Sequence, residues 1–363
     1  MRRFSCPTCA NEVHFRNSHC ITCGSELGYL SESDRIMAAP SGSGRWEDEG
    51  AVWHACANRQ AIGCNWLVEG GRLGAAEADV PLAGSLCLSC RHTLVIPDLS
   101  RPENAERWAM LEEAKRRLFY SLVKFRLDVG DLQAGPDTAL RFEFKADELS
   151  ADGSKRRVLT GHENGLITIN VAEADDPTRE KHRKAMGEPY RTLIGHFRHE
   201  IGHYYWDRLV ADGPALAECR RLFGDERADY ADALARHYDE GAPPQWQATH
   251  VSAYACAHPW EDFAETWAHY FHIVDGLETA GWYGLEGLGQ GVDPMDRAAP
   301  GWAEAGPYGA DEFTPLAKAW VPLTVAMNAM NRSIGLSDFY PFVLSDVILG
   351  KLAFIHRLIH APR

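Results

Sequence analysis

Apolar and polar residues alternate along this chain with two different periods, and each period predicts its own kind of element. Apolar residues three or four positions apart predict five helices, over residues 104–125, 190–210, 214–240, 315–334 and 341–359. Alternation at every second position predicts three strands, over residues 140–147, 156–160 and 166–171. Residues 162–165 supply a turn between the last two strands, and Pro259 suits the first turn of a further helix. Residues 281–314 are dense in Gly, Pro and Ala, which predicts a long loop that could cover a cleft.

The helix predicted over residues 190–210 has two distinct faces. At about 100° per residue, the side chains that fall opposite His199 are apolar or aromatic: Ile194, Phe197, Ile201, Tyr204 and Tyr205. The other face carries the polar side chains His196, His199, Glu200 and His203. This segregation favours a helix with one face in a core and a chemical site on the other. The alternative is an amphipathic helix whose histidines are only solvated.

His199, Glu200 and His203 stand at the H-E-x-x-H spacing of zinc hydrolase helices. His199 and His203 project from the same face one turn apart, so both imidazoles can reach one metal ion. Glu200 lies about 100° around the helix, where its carboxylate could take a proton from metal-bound water. The longer motif with a third histidine is not met, because Trp206 replaces its glycine and Leu209 its last histidine. A third ligand must therefore come from elsewhere in the chain.

Residues 252–269 hold the best candidates for that third ligand. Glu261 and Glu265 are one helical turn apart and share a face. Two such carboxylates suit a division of roles, in which Glu261 binds the metal and Glu265 accepts the N–H of a ligating histidine. Asp262, Glu265 and His258 remain alternatives as the ligand. Acidic residues at a helix start can also simply complement the helix dipole.

The chain contains ten cysteines, and eight of them fall in the first ninety residues in an ordered layout. One C-x-x-C pair is Cys6 and Cys9, and a second is Cys20 and Cys23. Each pair can place two thiolates on a tight turn, and four thiolates complete a tetrahedral zinc site. In a reducing compartment this layout predicts a zinc ribbon rather than disulfides.

A second cysteine set has a less regular spacing and consists of Cys56, Cys64, Cys87 and Cys90. Only its last two members form a compact C-x-x-C pair. We expect a second four-cysteine zinc site, in which His54 or His92 could replace one ligand. Cys219 and Cys256 stand apart and are interpreted as helix or core cysteines, with Cys256 as a nucleophile the alternative.

Length and charge restrict the class of protein. The chain has 363 residues, enough for two or three domains, and a formal net charge of −14. This acidity disfavours nucleic acid as a general partner. The N-terminus MRRFSCPTCA lacks the apolar run of a secretory signal, and no stretch of about 20 apolar residues predicts a membrane span. We therefore expect a cytoplasmic protein with no membrane partner.

The chain divides by composition into four segments. These are a zinc ribbon over residues 1–30, a linker of small and polar residues over 31–50, a second four-cysteine module over 51–98, and a larger domain over 99–363. Neither cysteine module has enough apolar residues for a core of its own. We therefore expect zinc to drive the folding of both modules.

The two histidines and the downstream glutamate resemble the centre of the gluzincins, a class of zinc metallopeptidases. Glu261 and Glu265 match the order of ligand and supporting acid in thermolysin-like members of that class. The interval from Tyr254 to Glu261 resembles that of lethal-factor-type metallopeptidases. This resemblance implies that Tyr254 helps to stabilise an oxyanion, and a packed core tyrosine is the alternative.

Almost the full chain is similar to a bacterial family of zinc-binding metallopeptidases with an N-terminal zinc-ribbon region. The longest runs that carry this resemblance are GLITINVAEAD, EPYRTLIGHFRHEIGHYYW and HPWEDFAETWAHY. The resemblance implies hydrolysis of a peptide bond and leaves the substrate open.

We therefore predict an α+β protein, in which a zincin-like metallopeptidase domain, mostly helical with a small sheet, follows small zinc-ribbon modules. One catalytic zinc is expected at His199, His203 and Glu261, and two structural zincs at the cysteine sets. Glu200 would act as general base in the hydrolysis of a peptide or protein substrate, and the ribbons could bind a protein partner. One alternative is a non-catalytic zinc protein whose ribbons dock a protein or nucleic acid. Another is a DNA-associated protease.

Overall fold

The protein is described by a computed structural model that covers residues 2–72, 85–135, 139–149, 155–180, 192–285 and 306–362. The chain folds into two compact units, Met1–Arg179 and Glu180–Arg363. All described strands belong to the first unit, and the described part of the second unit is helical. The fold is thus α+β, with a cysteine-rich region first and a largely helical region after it, as the sequence predicts.

Short antiparallel strands form the N-terminal part of the first unit. In chain order they are β1 (Phe4–Ser5), β2 (Glu12–Val13), β3 (Glu26–Leu30), β4 (Arg35–Ala39), β5 (Arg45–Asp48), β6 (Ala51–Ala55) and β7 (Leu67–Arg72). β1 pairs with β2, β3 pairs with β4, and β5, β6 and β7 form a three-stranded sheet. The prediction of a linker over residues 31–50 is wrong, because this segment forms β4 and β5. Its Ser and Gly residues lie in the turns before, between and after these strands, whereas Trp46 is buried with Leu30, Met37 and Trp53.

A second group of strands follows the cysteine sets. It comprises β8 (Thr93–Val95), β9 (Arg141–Lys145), β10 (Glu148–Leu149), β11 (Lys155–Arg156), β12 (Gly161–Glu163) and β13 (Leu166–Asn170). Four of them form one sheet in the order β12-β13-β9-β8. The hairpin partner of β13 is β12 and not the predicted strand over residues 156–160. Asn164 and Gly165 both have positive φ and make a two-residue turn directly after β12, which fixes this pairing.

The described helices of the first unit include α1 (Arg59–Ile62) and α2 (Pro102–Lys124), and residues 176–180 are helical as well. α2 corresponds to the helix predicted over residues 104–125 and begins with a proline in its first turn. β8 comes from the segment predicted as the second cysteine module, yet it pairs in parallel with β9. The first unit therefore continues through the domain boundary that composition placed at residue 98.

Six helices build the described part of the second unit. They are α3 (Leu193–Leu209), α4 (Leu216–Phe223), α5 (Tyr230–Glu240), α6 (Pro259–Trp282), α7 (Phe313–Ser333) and α8 (Asp346–His360). The single helical region predicted over residues 214–240 is two helices, because Gly224 with a φ of 103° ends α4. The last helix begins at Asp346 and not at residue 341, since Ser345 caps its first turn. α6 begins at Pro259, as predicted.

The long loop predicted over residues 281–314 lies mostly outside the described residues, which stop at 285 and resume at 306. At its far end Pro307–Gly309 form one 3-10 turn before α7 begins at Phe313. No helix in the described ranges is long and apolar enough to cross a membrane.

Close packing of α3 against α6 brings the predicted site residues together. A Cβ atom on Gly202 would lie 2.8 Å from the Cα of Ala264, so only glycine permits this approach of the two helices. The apolar face predicted for α3 is buried except for Ile194, which is partly exposed. Tyr205 of this face stacks on Trp267 of α6 with ring centroids 5.0 Å apart. Because Ala264 stands between Glu261 and Glu265, the same contact sets both carboxylates opposite the polar face of α3.

Candidate metal centre

α3 presents two imidazoles on one face, one turn apart. Thr192 caps this helix, and its hydroxyl oxygen accepts a hydrogen bond from the backbone N–H of Gly195. The Nε2 atoms of His199 and His203 lie 3.2 Å apart. The ring of Trp260 packs on that of His203 with centroids 3.8 Å apart, which fixes the orientation of this imidazole. Two nitrogen ligands are thus aimed at one point.

Glu261 of α6 brings a carboxylate to the same point. Its Oε2 atom is 2.9 Å from His199 Nε2 and 3.5 Å from His203 Nε2. The Glu261 side chain is 1 % exposed, and its Oε2 accepts no hydrogen bond from the residues that the structure describes. A buried carboxylate oxygen without a hydrogen bond is costly unless a cation accompanies it. The three ligand atoms lie within 4.8 Å of one another, as a metal site requires.

Glu265 and Ser252 hold His199 in the orientation that a metal needs. Glu265 Oε1 lies 2.7 Å from His199 Nδ1, and a carboxylate at this distance requires that Nδ1 carry the proton and donate it. The free electron pair of a neutral His199 ring is then on Nε2, which faces Glu261. Ser252 donates its hydroxyl to the other oxygen of Glu265 at 2.5 Å. This chain from hydroxyl to carboxylate to imidazole is the usual support of a metal-binding histidine.

Glu200 lies beside the two histidines and is 8 % exposed. Burial raises the pKa of its carboxyl above the usual range, and the charges of His199 and His203 oppose this rise. A carboxylate with a raised pKa accepts a proton more readily than an exposed one. Glu200 is therefore a candidate base beside the donor atoms of His199 and His203.

Two tyrosines line the site, and the sequence pointed to only one of them. Tyr254 lies in the 3-10 helix Tyr254–Cys256, with its ring centroid 5.9 Å from that of His199. Burial raises the pKa of this phenol, so Tyr254 stays protonated and can donate. Tyr230 of α5 donates its hydroxyl to Glu261 Oε1 at 2.6 Å. No motif marks Tyr230, because it stands 31 positions before its partner in a different helix.

The other candidates for the third ligand have different partners. His258 caps α6, since its Nδ1 accepts a hydrogen bond from Trp260 N at 3.1 Å and its Nε2 donates to Ala228 O at 3.0 Å. Asp262 is buried and forms an ion pair with Lys351 at 2.5 Å. His196 is not part of the group in which His199, His203 and Glu261 converge, within the described residues. The two alternatives His258 and Asp262 are therefore engaged in holding the fold.

Cys256 does not have the surroundings of a nucleophile. Burial raises the pKa of its thiol to about 11, so little thiolate is present at neutral pH. Cys219 is buried in α4, and burial raises the pKa of its thiol to about 12. Both are consistent with the interpretation of these two residues as helix or core cysteines.

The first cysteine set forms a compact group in the first unit. Its four sulfur atoms lie within 4.8 Å of one another, and the Sγ pairs Cys6–Cys23 and Cys9–Cys20 are 3.7 Å and 3.6 Å apart. A tetrahedron with zinc–sulfur bonds of about 2.3 Å has sulfur atoms about 3.8 Å apart, whereas a disulfide needs about 2.05 Å. The spacing is therefore that of a tetrathiolate metal site.

The second cysteine set forms a similar group in spite of its irregular spacing in the sequence. Cys64 Sγ is 3.7 Å from Cys87 Sγ and 3.8 Å from Cys90 Sγ, and Cys56 completes the group. The interval from Cys56 to Cys64 is taken up by α1, and Gly63 with a φ of 64° turns the chain back to Cys64.

Neither predicted substitute joins the second cysteine group. Among the described residues, His54 and His92 are outside it, and His92 Nδ1 instead lies 2.5 Å from the carbonyl oxygen of Leu140. The four cysteines are buried, so the group is shielded from solvent. The second group therefore offers four sulfur atoms to a metal ion.

The donor atoms of the two cysteine sets and of the group His199, His203 and Glu261 indicate which metal each could bind. Four sulfur atoms in a tetrahedron are the usual structural zinc site. Two imidazole nitrogens and one carboxylate oxygen also suit zinc, and the buried Oε2 of Glu261 supplies a negative charge for it. The donor atoms of all three groups are thus ones that zinc accepts.

Comparison with known proteins gives the family. The sequence model of the family described as "Putative zinc-binding metallo-peptidase" matches residues 104–358, and that of a zinc-ribbon domain matches residues 3–101. The first match covers well over half of the chain, so the chain belongs to that zinc-binding metallopeptidase family and carries a zinc-ribbon domain before it.

Relatives of nearly the same length occur in mycobacteria. Uncharacterised proteins of Mycobacterium bovis and of two Mycobacterium tuberculosis strains are each 41 % identical to this chain over 361 residues. The alignment covers 99 % of this chain and 95 % of each relative. No solved structure matches the chain.

Proposed function

We propose that this protein is a zinc-dependent peptidase of the gluzincin type, with an H-E-x-x-H helix and a downstream glutamate. His199 and His203 would hold the catalytic zinc through Nε2, and Glu261 would hold it through Oε2. The observation that carries the proposal is the convergence of these three atoms, with Glu261 Oε2 buried and without a hydrogen bond from the described residues. Three protein donors are the number found in catalytic zinc sites, whereas structural sites have four.

The chain's own residues then divide the work of peptide hydrolysis. Zinc supplies a Lewis acid and lowers the pKa of water to roughly 7. Glu200 accepts the proton of the attacking water and later delivers it to the leaving amine. Tyr254 donates a hydrogen bond to the substrate carbonyl oxygen as negative charge develops there. Glu265, held by Ser252, keeps the His199 ring in place.

The cysteine sets have a different part in this proposal. Each holds one structural zinc, because all four positions around the metal are filled by sulfur. The expected substrate is a peptide or protein, and the zinc-ribbon region would bind a protein partner. A reducing cytoplasm suits both sets, since it keeps the thiols available for zinc.

A peptide-library cleavage assay with the zinc-loaded full chain tests the proposal. Glu200→Gln keeps the size of the side chain and removes the base, so we expect cleavage to fall by about 10² to 10⁴. Zinc content should stay at the wild-type value, because Glu200 is not a ligand. Glu240→Gln, at the exposed end of α5, is the matched control and should cleave like the wild type.

Two outcomes of that assay would contradict the proposal. Equal cleavage by Glu200→Gln and the wild type would remove Glu200 from the mechanism. Absence of cleavage of every library peptide by wild-type protein that carries zinc at His199 and His203 would favour a non-catalytic zinc protein.

A further inference from the structure

We propose that Tyr230 is a positioning residue that selects which oxygen of Glu261 faces the metal. This inference rests on the proposed zinc site at His199, His203 and Glu261. It adds a residue that neither the zinc motif nor the family resemblance marks. The role is to restrict a carboxylate that could otherwise bind a cation through either oxygen or through both.

The inference rests on the different partners of the two carboxylate oxygens of Glu261. Tyr230 donates its hydroxyl to Oε1 at 2.6 Å, whereas Oε2 faces the Nε2 atoms of His199 and His203 at 2.9 Å and 3.5 Å. A hydrogen bond to a carboxylate is charge-assisted and therefore strong. With Oε1 occupied in this way, Oε2 is the oxygen that remains for a cation.

Side chains around Tyr230 aim its phenol at this oxygen. The Tyr230 ring makes edge contacts with His258 and Trp260, with centroids 5.2 Å and 5.8 Å apart. Both neighbours belong to the start of the helix that carries Glu261: His258 is its cap and Trp260 lies in its first turn. The phenol is thus held by the same element as the carboxylate that it contacts.

The start of α5 is fixed by caps and not by a core. α5 has no buried residue, so apolar packing holds it weakly. Asp229 caps it by accepting a hydrogen bond from Asp232 N at 2.9 Å. His258 donates to the carbonyl oxygen of Ala228, which ties the residue before this cap to the start of α6. These bonds place Tyr230, the first residue of α5, over Glu261.

Loss of the hydroxyl should weaken the metal site without unfolding the unit. In Tyr230→Phe the ring contacts stay, and Glu261 Oε1 loses its donor. The carboxylate can then rotate or bind the cation through both oxygens, which changes the coordination number. Partners that orient a metal ligand typically contribute 10- to 100-fold to metal affinity.

The test is a chelator titration of the full chain, with zinc per chain measured by mass spectrometry. Tyr230→Phe should release the zinc of the histidine site at a chelator concentration 10- to 100-fold below that needed for the wild type. Zinc in the two cysteine sets and the melting temperature should not change. Tyr238→Phe removes a phenolic hydroxyl from the same helix, at a side chain that is 60 % exposed. This variant should release zinc at the same chelator concentration as the wild type.

A second readout separates positioning from a merely structural role. Cobalt(II) loaded into the histidine site reports coordination through its visible ligand-field bands, and these bands should change in Tyr230→Phe and not in Tyr238→Phe. Equal chelator midpoints and equal cobalt spectra for Tyr230→Phe and the wild type would overturn the inference while the zinc site stands. If instead wild-type protein and His199→Ala hold the same number of zinc ions, the proposed function itself fails, and the role of Tyr230 fails with it.

Discussion

The two kinds of candidate metal site in this chain differ in how they are built. Each cysteine set gathers four sulfur atoms within one small region. In both sets, neighbouring sulfur atoms such as those of Cys9 and Cys20 or of Cys64 and Cys90 lie 3.6 to 3.8 Å apart. The histidine site gathers two nitrogen atoms and one oxygen atom from two long helices, and its ligands are some 60 positions apart in the sequence. A cysteine set thus offers four protein donor atoms to a metal ion, whereas the histidine site offers three.

On the proposed function, this difference separates zinc that stabilises the fold from zinc that takes part in the reaction. A tetrathiolate site has no place for a substrate, and its binding energy adds directly to folding. The histidine site stands on helices that already have a packed core, as the stack of Tyr205 on Trp267 shows. We therefore expect removal of metal to unfold the cysteine-rich region and to leave α3 and α6 folded.

The largest expected effect comes from breaking a cysteine set. Cys64→Ser removes one buried thiolate of the second set, and structural zinc in small zinc domains contributes about 10–16 kcal/mol to folding. Hydrogen exchange should become fast over residues 51–72 and stay slow in α3 and α6. Cys219→Ser, at a buried cysteine outside both sets, is the control and should leave exchange in residues 51–72 slow. Slow exchange in Cys64→Ser itself would show that this region folds without its zinc.

An intermediate effect is expected where α3 meets α6. Gly202→Ala places a Cβ atom 2.8 Å from the backbone of Ala264, which cannot move aside as a side-chain tip can. We expect a loss of about 1–3 kcal/mol in the free energy of unfolding and weaker zinc binding at the histidine site. Chemical denaturation and zinc titration measure the two effects.

Gly350→Ala is the matched control for this contact. Gly350 lies inside α8, and a Cβ atom there would meet nothing within 4 Å, so the change should stabilise the chain by about 0.5–1 kcal/mol. If Gly202→Ala stabilises the chain as Gly350→Ala does, the close approach of the two helices is not required.

The smallest effect is expected from Ser252, which touches no predicted ligand of zinc. Ser252→Ala removes the hydroxyl that holds Glu265, while the contact of Glu265 with His199 remains. We expect zinc affinity at the histidine site to fall by less than about tenfold, below the 10- to 100-fold typical of a residue that touches a ligand. Competition with a chelator checks this value, and Ser333→Ala at an exposed position is the control. A loss of 100-fold or more would mean that Ser252 does more than support Glu265.

The sequence is sufficient to group candidate metal ligands where their spacing along the chain alone determines how the side chains are placed. The spacing of His199 and His203 implies a shared helix face, and the C-x-x-C pairs imply tight turns, so these residues could be grouped before the structure. Pro259 likewise marked the start of α6. Glu261 and Glu265 needed one further assumption, that a second helix packs against the first.

The other features of the fold and the site depend on contacts between distant parts of the chain. No local pattern in a single sequence indicates such contacts. Tyr230 was missed because its contact with Glu261 depends on the placement of α5. Residues 31–50 were predicted as a linker because small and polar residues dominate this segment, although Trp46 within it is buried. The strand β8 was missed because its partner β9 comes after the whole of α2.

A crystal structure of the zinc-loaded chain, with anomalous diffraction at the zinc edge, tests the central claim most directly. We expect three zinc peaks, two of them at the cysteine sets. The third should lie about 2.0–2.2 Å from His199 Nε2, His203 Nε2 and Glu261 Oε2, with a water molecule in its remaining position beside Glu200. A missing third peak, or a fourth protein ligand in place of that water, would show that this is not a catalytic zinc site.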